Sequence, residues 1–229
     1  MSAIVTCHDV SKTYRRGSVA VAALKSITLE VEAGGFMALA GPSGSGKTTL
    51  LNMIGGLDLP DSGTIRVAGE TYAELSPARM AELRLHKIGF VFQAYNLIPV
   101  LSALENVEYV MLLQGLPTAE RQRRAMQILE EVGLGDQSDR RPAELSGGQQ
   151  QRVAVARAIV SNPSIVLADE PTANLDSKTG ESLLQLMQRM NRERRVTFIF
   201  STHDEMVMAH ARRLVLLKDG QIIDDRQNG

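Results

Sequence analysis

Gly41-Pro42-Ser43-Gly44-Ser45-Gly46-Lys47-Thr48-Thr49 lies between an apolar run, Phe36 to Ala40, and the apolar start of a helix at Leu50-Leu51. The stretch fits the pattern of a phosphate-binding loop. Its glycines let the backbone wrap so that successive N–H groups point inward, along a path that a Cβ would obstruct. Lys47 is then placed to reach the β- and γ-phosphates of a nucleotide, and the hydroxyl of Thr48 to ligate Mg²⁺. The helix that begins there adds the positive end of its dipole. Several kinds of donor thus converge on one anion, which favours a triphosphate cradle over a Gly-rich turn.

At 229 residues, 44% hydrophobic and 22% charged, the chain is long enough for one sizeable α/β domain. A formal net charge of −1 gives no long-range attraction to polyanions, so no nucleic acid is expected as a main partner. The single Cys7 excludes an internal disulfide framework and a Cys-rich metal site, and it suits a reducing cytoplasm. Met1-Ser2-Ala3-Ile4-Val5 lacks a basic segment followed by an apolar core. No apolar run approaches the roughly 18 residues that span a bilayer, so a membrane role is expected to run through a partner.

Working outward toward the N-terminus, Phe36 to Ala40 reads as a buried parallel strand feeding the loop, and Leu24 to Val31 alternates as a strand. Ile4 to Val10 reads as a short strand followed by a turn through Ser11 to Gly17. Tyr14 on that turn is either a platform for a base or a core anchor. Toward the C-terminus, the helix after the loop stops at Gly55-Gly56, and Thr64 to Val67 is a strand. Ile88 to Phe92 ends in Gln93, at the strand edge where open α/β sheets bind ligands. Leu104 to Val132 takes helical spacing, with the Arg121-Gln122-Arg123-Arg124 cluster on a solvated face.

Ser146-Gly147-Gly148-Gln149 opens another helix and forms a second anion nest. Ile165 to Ala168 is a buried strand ending in Asp169-Glu170. Adjacent strand residues point opposite ways, so the two carboxylates should have different jobs. Asp169 suits a Mg²⁺ contact and Glu170 suits a base that polarises an attacking water. Leu183, Leu184, Met187 and Met190 form the apolar side of a further helix. Val196 to Phe200 is a strand that brings His203 to the same edge, and Leu214 to Leu217 and Gln221 to Ile223 are small closing strands.

Together these motifs closely resemble the ATPase subunit of the ATP-binding cassette (ABC) transporter family, over essentially the whole chain. Gly41 to Thr48 is similar to its Walker A motif, Gln93 to its Q-loop, and Leu145 to Gln149 to its signature. Ile165 to Glu170 is similar to Walker B, Asn174 to Asp176 to the D-loop, His203 to the switch histidine, and Tyr14 to the adenine-stacking aromatic. The wording of Asn96-Leu97-Ile98-Pro99 and Leu104-Glu105-Asn106-Val107 resembles the subgroup that serves bacterial lipoprotein release and macrolide-type export. Gly35 and Ala173 depart from the pattern, where Glu and Gly are usual.

The resemblance implies an α/β P-loop NTPase fold in one ABC ATPase domain spanning 1–229. Residues 1–93 and 161–229 would form a RecA-like parallel-sheet core with an N-terminal antiparallel β layer, and 94–160 an inserted α-helical subdomain. It implies ATP and Mg²⁺ as cofactors. Tyr14 and the run from Gly41 to Thr49 would hold the nucleotide, Thr48, Gln93 and Asp169 would hold the metal, and Glu170, His203, Gln93 and Lys47 would be catalytic. It further implies a head-to-tail homodimer in which Ser146, Gly147 and Gly148 touch the γ-phosphate of the other copy's ATP, with Gln149 and Asp176 also among the nucleotide-binding residues. Integral membrane permease subunits would be the partners, with the chain peripheral on the cytoplasmic face of the inner membrane. The alternatives are a cell-division type cassette that signals without transport and a soluble non-transport cassette. The short spacing from Gln93 to Leu145 leaves no room for the long arm of the latter. Tyr95, Leu97 and Ile98 belong to a run that is apolar for a solvent-facing loop, and read as part of a groove for a short helix of the membrane subunit.

Overall fold

Apolar runs become parallel strands here because both of their faces are covered. The computed structural model describes residues 3–17 and 19–228. The chain forms β1 (Ala3–Arg16), β2 (Val19–Glu32), β3 (Phe36–Ala40), α1 (Lys47–Ile54), β4 (Ser62–Val67), β5 (Glu70–Thr71), α2 (Pro77–Lys87) and β6 (Ile88–Val91). There follow α3 (Ala103–Leu113), α4 (Thr118–Glu131), α5 (Gly147–Ile159), β7 (Ile165–Asp169), α6 (Ser177–Arg194), β8 (Thr197–Thr202), α7 (Glu205–His210), β9 (Arg213–Lys218) and β10 (Gln221–Gln227).

Six strands form one sheet in the order β10-β9-β3-β8-β7-β6, in which β9, β3, β8, β7 and β6 run parallel and β10 is antiparallel to β9. The other four form an antiparallel sheet, β2-β1-β4-β5. Successive side chains of a strand face opposite ways, and here both sets are apolar. Phe36, Ala38, Val166, Ala168, Phe198 and Phe200 enter a core shared with α3, α4, α5 and α6. Met37, Leu39, Ile165, Leu167 and Ile199 enter a second core shared with α1, α2 and the antiparallel sheet. The parallel sheet is therefore the middle layer, and its C-terminal edge collects the ends of β3, β6, β7 and β8.

The structure departs from the sequence reading in places where pairing is decided at long range. Ser11 to Arg16 continue β1 as strand rather than turning, because Thr13, Tyr14 and Arg15 find backbone partners in Ala22, Val21 and Ala20 of β2. The hairpin thus carries Tyr14 on a ladder. β10 runs to Gln227, well past Ile223, on the same kind of support from β9. Two helices escaped the sequence reading. α2 starts at Ser76-Pro77, where the serine hydroxyl accepts from Arg79 N–H, and α7 is capped by Asp204. Arg123 and Arg124 lie on a helix face and both pair with Glu120, whose carboxyl the two guanidiniums hold at about 2.

Gly89 shows how closely β6 meets α5, since a Cβ there would collide with the backbone carbonyl of Ala158. Gly89→Ala is expected to destabilise the protein by ~1–3 kcal/mol, read as a lowered denaturant midpoint, because a helix backbone cannot yield as a side chain can. An unchanged midpoint would show that the two elements are not in this contact.

Candidate nucleotide-binding site

The loop after β3 is held by backbone. Gly41 has φ 148°, and a Cβ on it would collide with the carbonyl of Leu217 at the end of β9. Gly46 has φ 103°, and its Cβ would lie 2.6 Å from the carbonyl of Ala23 on β2. Gly44, also left-handed at φ 79°, has open space around it. The loop is thus squeezed at its two ends and open in the middle. It lines a cavity of about 520 Å³ together with Val21 to Ala23, Gln93, Asp169, Glu170 and His203.

Lys47 begins α1 with its side chain largely buried, and its Nζ donates to the carbonyls of Gly41 at 2.8 Å and Pro42 at 2.9 Å. Burial draws its pKa below the ordinary lysine value, against the pull of Glu170 and Asp169. A cation bound only to neutral carbonyls in a desolvated cleft gains most from an arriving anion. The hydroxyl of Thr48 donates to Asp169 Oδ1 at 3.0 Å.

Glu170 turns the other way. Its backbone adopts φ 45°, left-handed for a non-glycine residue, with its N–H donating to Ser201 O at 2.9 Å. Glu170 Oε1 lies 2.6 Å from His203 Nδ1, and Thr202 Oγ1 donates to Oε2 at 3.2 Å. Strained conformations of this kind persist where neighbours over-determine them, and they cluster at active sites. The opposed directions expected of Asp169 and Glu170 are present: one acid faces α1, the other β8.

Four expected site residues sit at one helix start. Ser146 caps α5 in a reciprocal box: its hydroxyl accepts from Gln149 N–H at 3.3 Å, and Gln149 Oε1 accepts from Ser146 N–H at 2.9 Å. A Cβ on Gly148 would come within 2.5 Å of Thr179 Cγ2, so this end packs against the start of α6. Asp176 caps α6, accepting from Thr179 N–H and Oγ1, which hold its carboxyl below the ordinary range. Among the described residues, Ser146, Gly147, Gly148, Gln149, Asp176 and Tyr14 are not on the lining of the loop cavity. Tyr14 stands opposite Val21, which is on that lining, and is 43% exposed.

The sequence reading gave no site role to Asn174 or Thr202. Asn174 Nδ2 donates to the carbonyl of Gln93 at 2.9 Å, joining the two loops. Asn174 lies in the D-loop stretch and Thr202 stands beside His203, which is the signal that could have found them. The expected groove is formed differently. Leu97 packs against the larger core, and a Cβ on Gly147 would meet the hydroxyl of Tyr95 at 2.8 Å. Only Ile98 of the three lines the groove, an apolar cavity of about 690 Å³ with Phe90, Phe92, Tyr109 and Leu113. Arg157 closes one side, donating to the carbonyls of Tyr95 and Asn96, both left-handed.

This loop, sheet edge and paired-acid arrangement defines a P-loop NTPase fold. The sequence profile described as ABC transporter matches residues 24–173. The chain belongs to the ABC transporter family. It is 49% identical over 96% of its length to a protein of Syntrophobacter fumaroxidans named macrolide export ATP-binding/permease protein MacB, and covers 31% of that protein. It is 47% identical over 97% of its length to an uncharacterized ABC transporter ATP-binding protein of Thermotoga maritima, covering 94% of it. The chain therefore spans about a third of the MacB relatives and nearly all of the Thermotoga one. Among solved structures, a dimeric ATP-binding cassette in a post-hydrolysis state bound to ADP and Pi superposes with a TM-score of 0.91 at 43% identity, over 98% of this chain and 99% of that one.

The unequal crowding of the glycines is testable. Gly44→Ala is expected to cost only the left-handed penalty of ~1–2 kcal/mol. Gly46→Ala should cost a further ~1–3 kcal/mol for its collision with β2, read in denaturant midpoints. Equal losses would contradict the loop geometry.

Proposed function

We propose that the chain is the ATP-hydrolysing subunit of an ABC transporter, working as a head-to-tail pair of copies beneath membrane subunits. The observation that carries the catalytic part is the convergence of two pairs, Thr48 with Asp169 and Glu170 with His203, on the cavity that the phosphate loop lines. ATP would lie with its triphosphate in the loop. Lys47 would exchange its two carbonyl partners for β- and γ-phosphate oxygens, and the loop amides and the α1 dipole would hold the rest.

The residues present fit Mg²⁺. Thr48 and Asp169 offer two hard oxygens 3.0 Å apart, and this ion takes one or two carboxylates plus phosphate oxygens rather than a full protein cage. Accordingly, no cluster of three or more His, Cys, Asp or Glu is found among the described residues. Gln93, on the same cavity, would complete the set. When bound, Mg²⁺ would supply charge neutralisation for the triphosphate. Glu170 takes the proton of the attacking water, and His203, with Thr202, fixes the direction of its carboxylate.

The second anion nest supports the paired arrangement. Ser146, Gly147 and Gly148 stand off the cis cavity, and an anion from a second copy would satisfy them; the similar dimeric cassette is consistent with this. Asp176 and Gln149 would then lie at the junction of the copies. The membrane assignment rests on the apolar groove beside Ile98 and on the ATP-binding/permease names of relatives. No helix among the described residues is long and apolar enough to cross a membrane. The chain would act at the cytoplasmic face beneath permease subunits, exporting or extracting a macrolide, peptide or lipoprotein.

Glu170→Gln should retain ATP affinity while lowering turnover by roughly 10²-fold or more, the size expected for loss of a general base. Phosphate release and nucleotide titration measure the two quantities. Full turnover in this variant would remove Glu170 from the role.

A further inference from the structure

The base of α1 and the β1 strand are joined by a polar cluster that phosphate chemistry does not require. The Tyr14 hydroxyl donates to Asp58 Oδ2 at 2.6 Å. Lys12 Nζ donates to Asp58 Oδ1 at 2.9 Å and to the carbonyl of Leu59 at 2.6 Å, and it lies 5.4 Å from the centre of the Tyr14 ring. Asp61 Oδ2 accepts from Thr13 N–H at 2.7 Å, so the same loop also grips the strand beside Tyr14. Burial works to raise the Asp58 carboxyl, but hydrogen bonds from Tyr14, Lys12 and the Leu59 amide outweigh it and hold the group below the ordinary range. Asp58 is thus a carboxylate with both oxygens engaged, and charge-assisted bonds of this kind are the short, strong ones.

The geometry has a direct consequence for the ring. A tyrosine has two side-chain torsions, and a hydroxyl anchored to Asp58 restricts both. Lys12 sits over one face, leaving the other for a ligand. Cross-strand partners share a face of the sheet, so Tyr14 and Val21 present together, and Val21 lines the phosphate cavity. An aromatic that is partly exposed yet held by two side chains is preorganised, and stacking on it forfeits little further freedom.

We propose that Asp58, with Lys12, is a positioning residue that presets the Tyr14 ring as the platform on which the nucleotide base stacks. This rests on the reading of Tyr14 as a base platform. Asp58 touches neither base nor phosphate and acts through the tyrosine. It would therefore contribute to binding of nucleotides and not of a bare triphosphate chain.

Calorimetric titration of the whole chain with Mg·ATP and with Mg·tripolyphosphate separates these contributions. Asp58→Ala and Tyr14→Phe should each weaken ATP binding about two- to tenfold, the range for ordering one side chain, and leave tripolyphosphate binding unchanged. Tyr14→Ala should lose more. The double variant Tyr14→Phe/Asp58→Ala should lose no more ATP affinity than Asp58→Ala alone, since the Tyr14–Asp58 hydrogen bond is already absent there. Tyr14→Phe keeps the ring and so reads the bond even if Asp58→Ala folds poorly. Wild-type ATP affinity in Tyr14→Phe, additive losses in the double variant, or equal losses for ATP and tripolyphosphate would overturn the proposal. Wild-type ATP affinity in Tyr14→Ala would instead overturn the base-platform reading beneath it.

Discussion

Two backbone carbonyls, those of Leu217 and Ala23, press on the phosphate loop at positions where only glycine fits. That squeeze fixes the loop against both sheets at once, since Leu217 belongs to the parallel sheet and Ala23 to the antiparallel one. The parallel sheet then delivers everything else. β6 leads to Gln93, β7 ends at Asp169 with Glu170 beyond it, and β8 ends at Thr202 beside His203, each strand in register with its neighbour. Because both faces of this sheet are buried, the strand ends cannot drift independently, and the distances between the acids and the loop follow from core packing.

The two acids show how adjacent residues come to do different work. Asp169 is the last strand residue and faces Thr48. Glu170 leaves the strand in a left-handed conformation that costs of order 1–3 kcal/mol and is held by Ser201, Thr202 and His203. The strain turns the carboxylate away from the Thr48–Asp169 pair and toward His203. Lys47 is likewise held by the chain itself, its charge hydrogen-bonded to two loop carbonyls and drawn toward Glu170 and Asp169.

Much of this was legible in the sequence because it is local. Apolar runs of five residues before Gly41 and four before Asp169 announce strands buried on both faces, and the loop, the acid pair and His203 sit at the ends of such strands. What was not legible depends on partners far away in the chain. Tyr14 looks like a turn residue until β2 pairs with it. Leu97 looks exposed because it sits in a loop, yet it packs against a core that helices later in the chain supply. Asp58 has no local signal at all, since its meaning comes from a tyrosine 44 positions away.

Two helix starts of one chain are proposed to hold anions, one lining the loop cavity and one capped by Ser146, so that each ATP is gripped by the first of one copy and the second of another. Complementation tests this most directly. Lys47→Ala damages the first nest. Ser146→Asp damages the second by repulsion, while aspartate keeps the helix cap. Mixed in one sample, the two inactive variants are predicted to regain ATP hydrolysis, because the mixed pair contains one intact composite site. Formation of mixed pairs with no hydrolysis at any mixing ratio would contradict a site shared between copies.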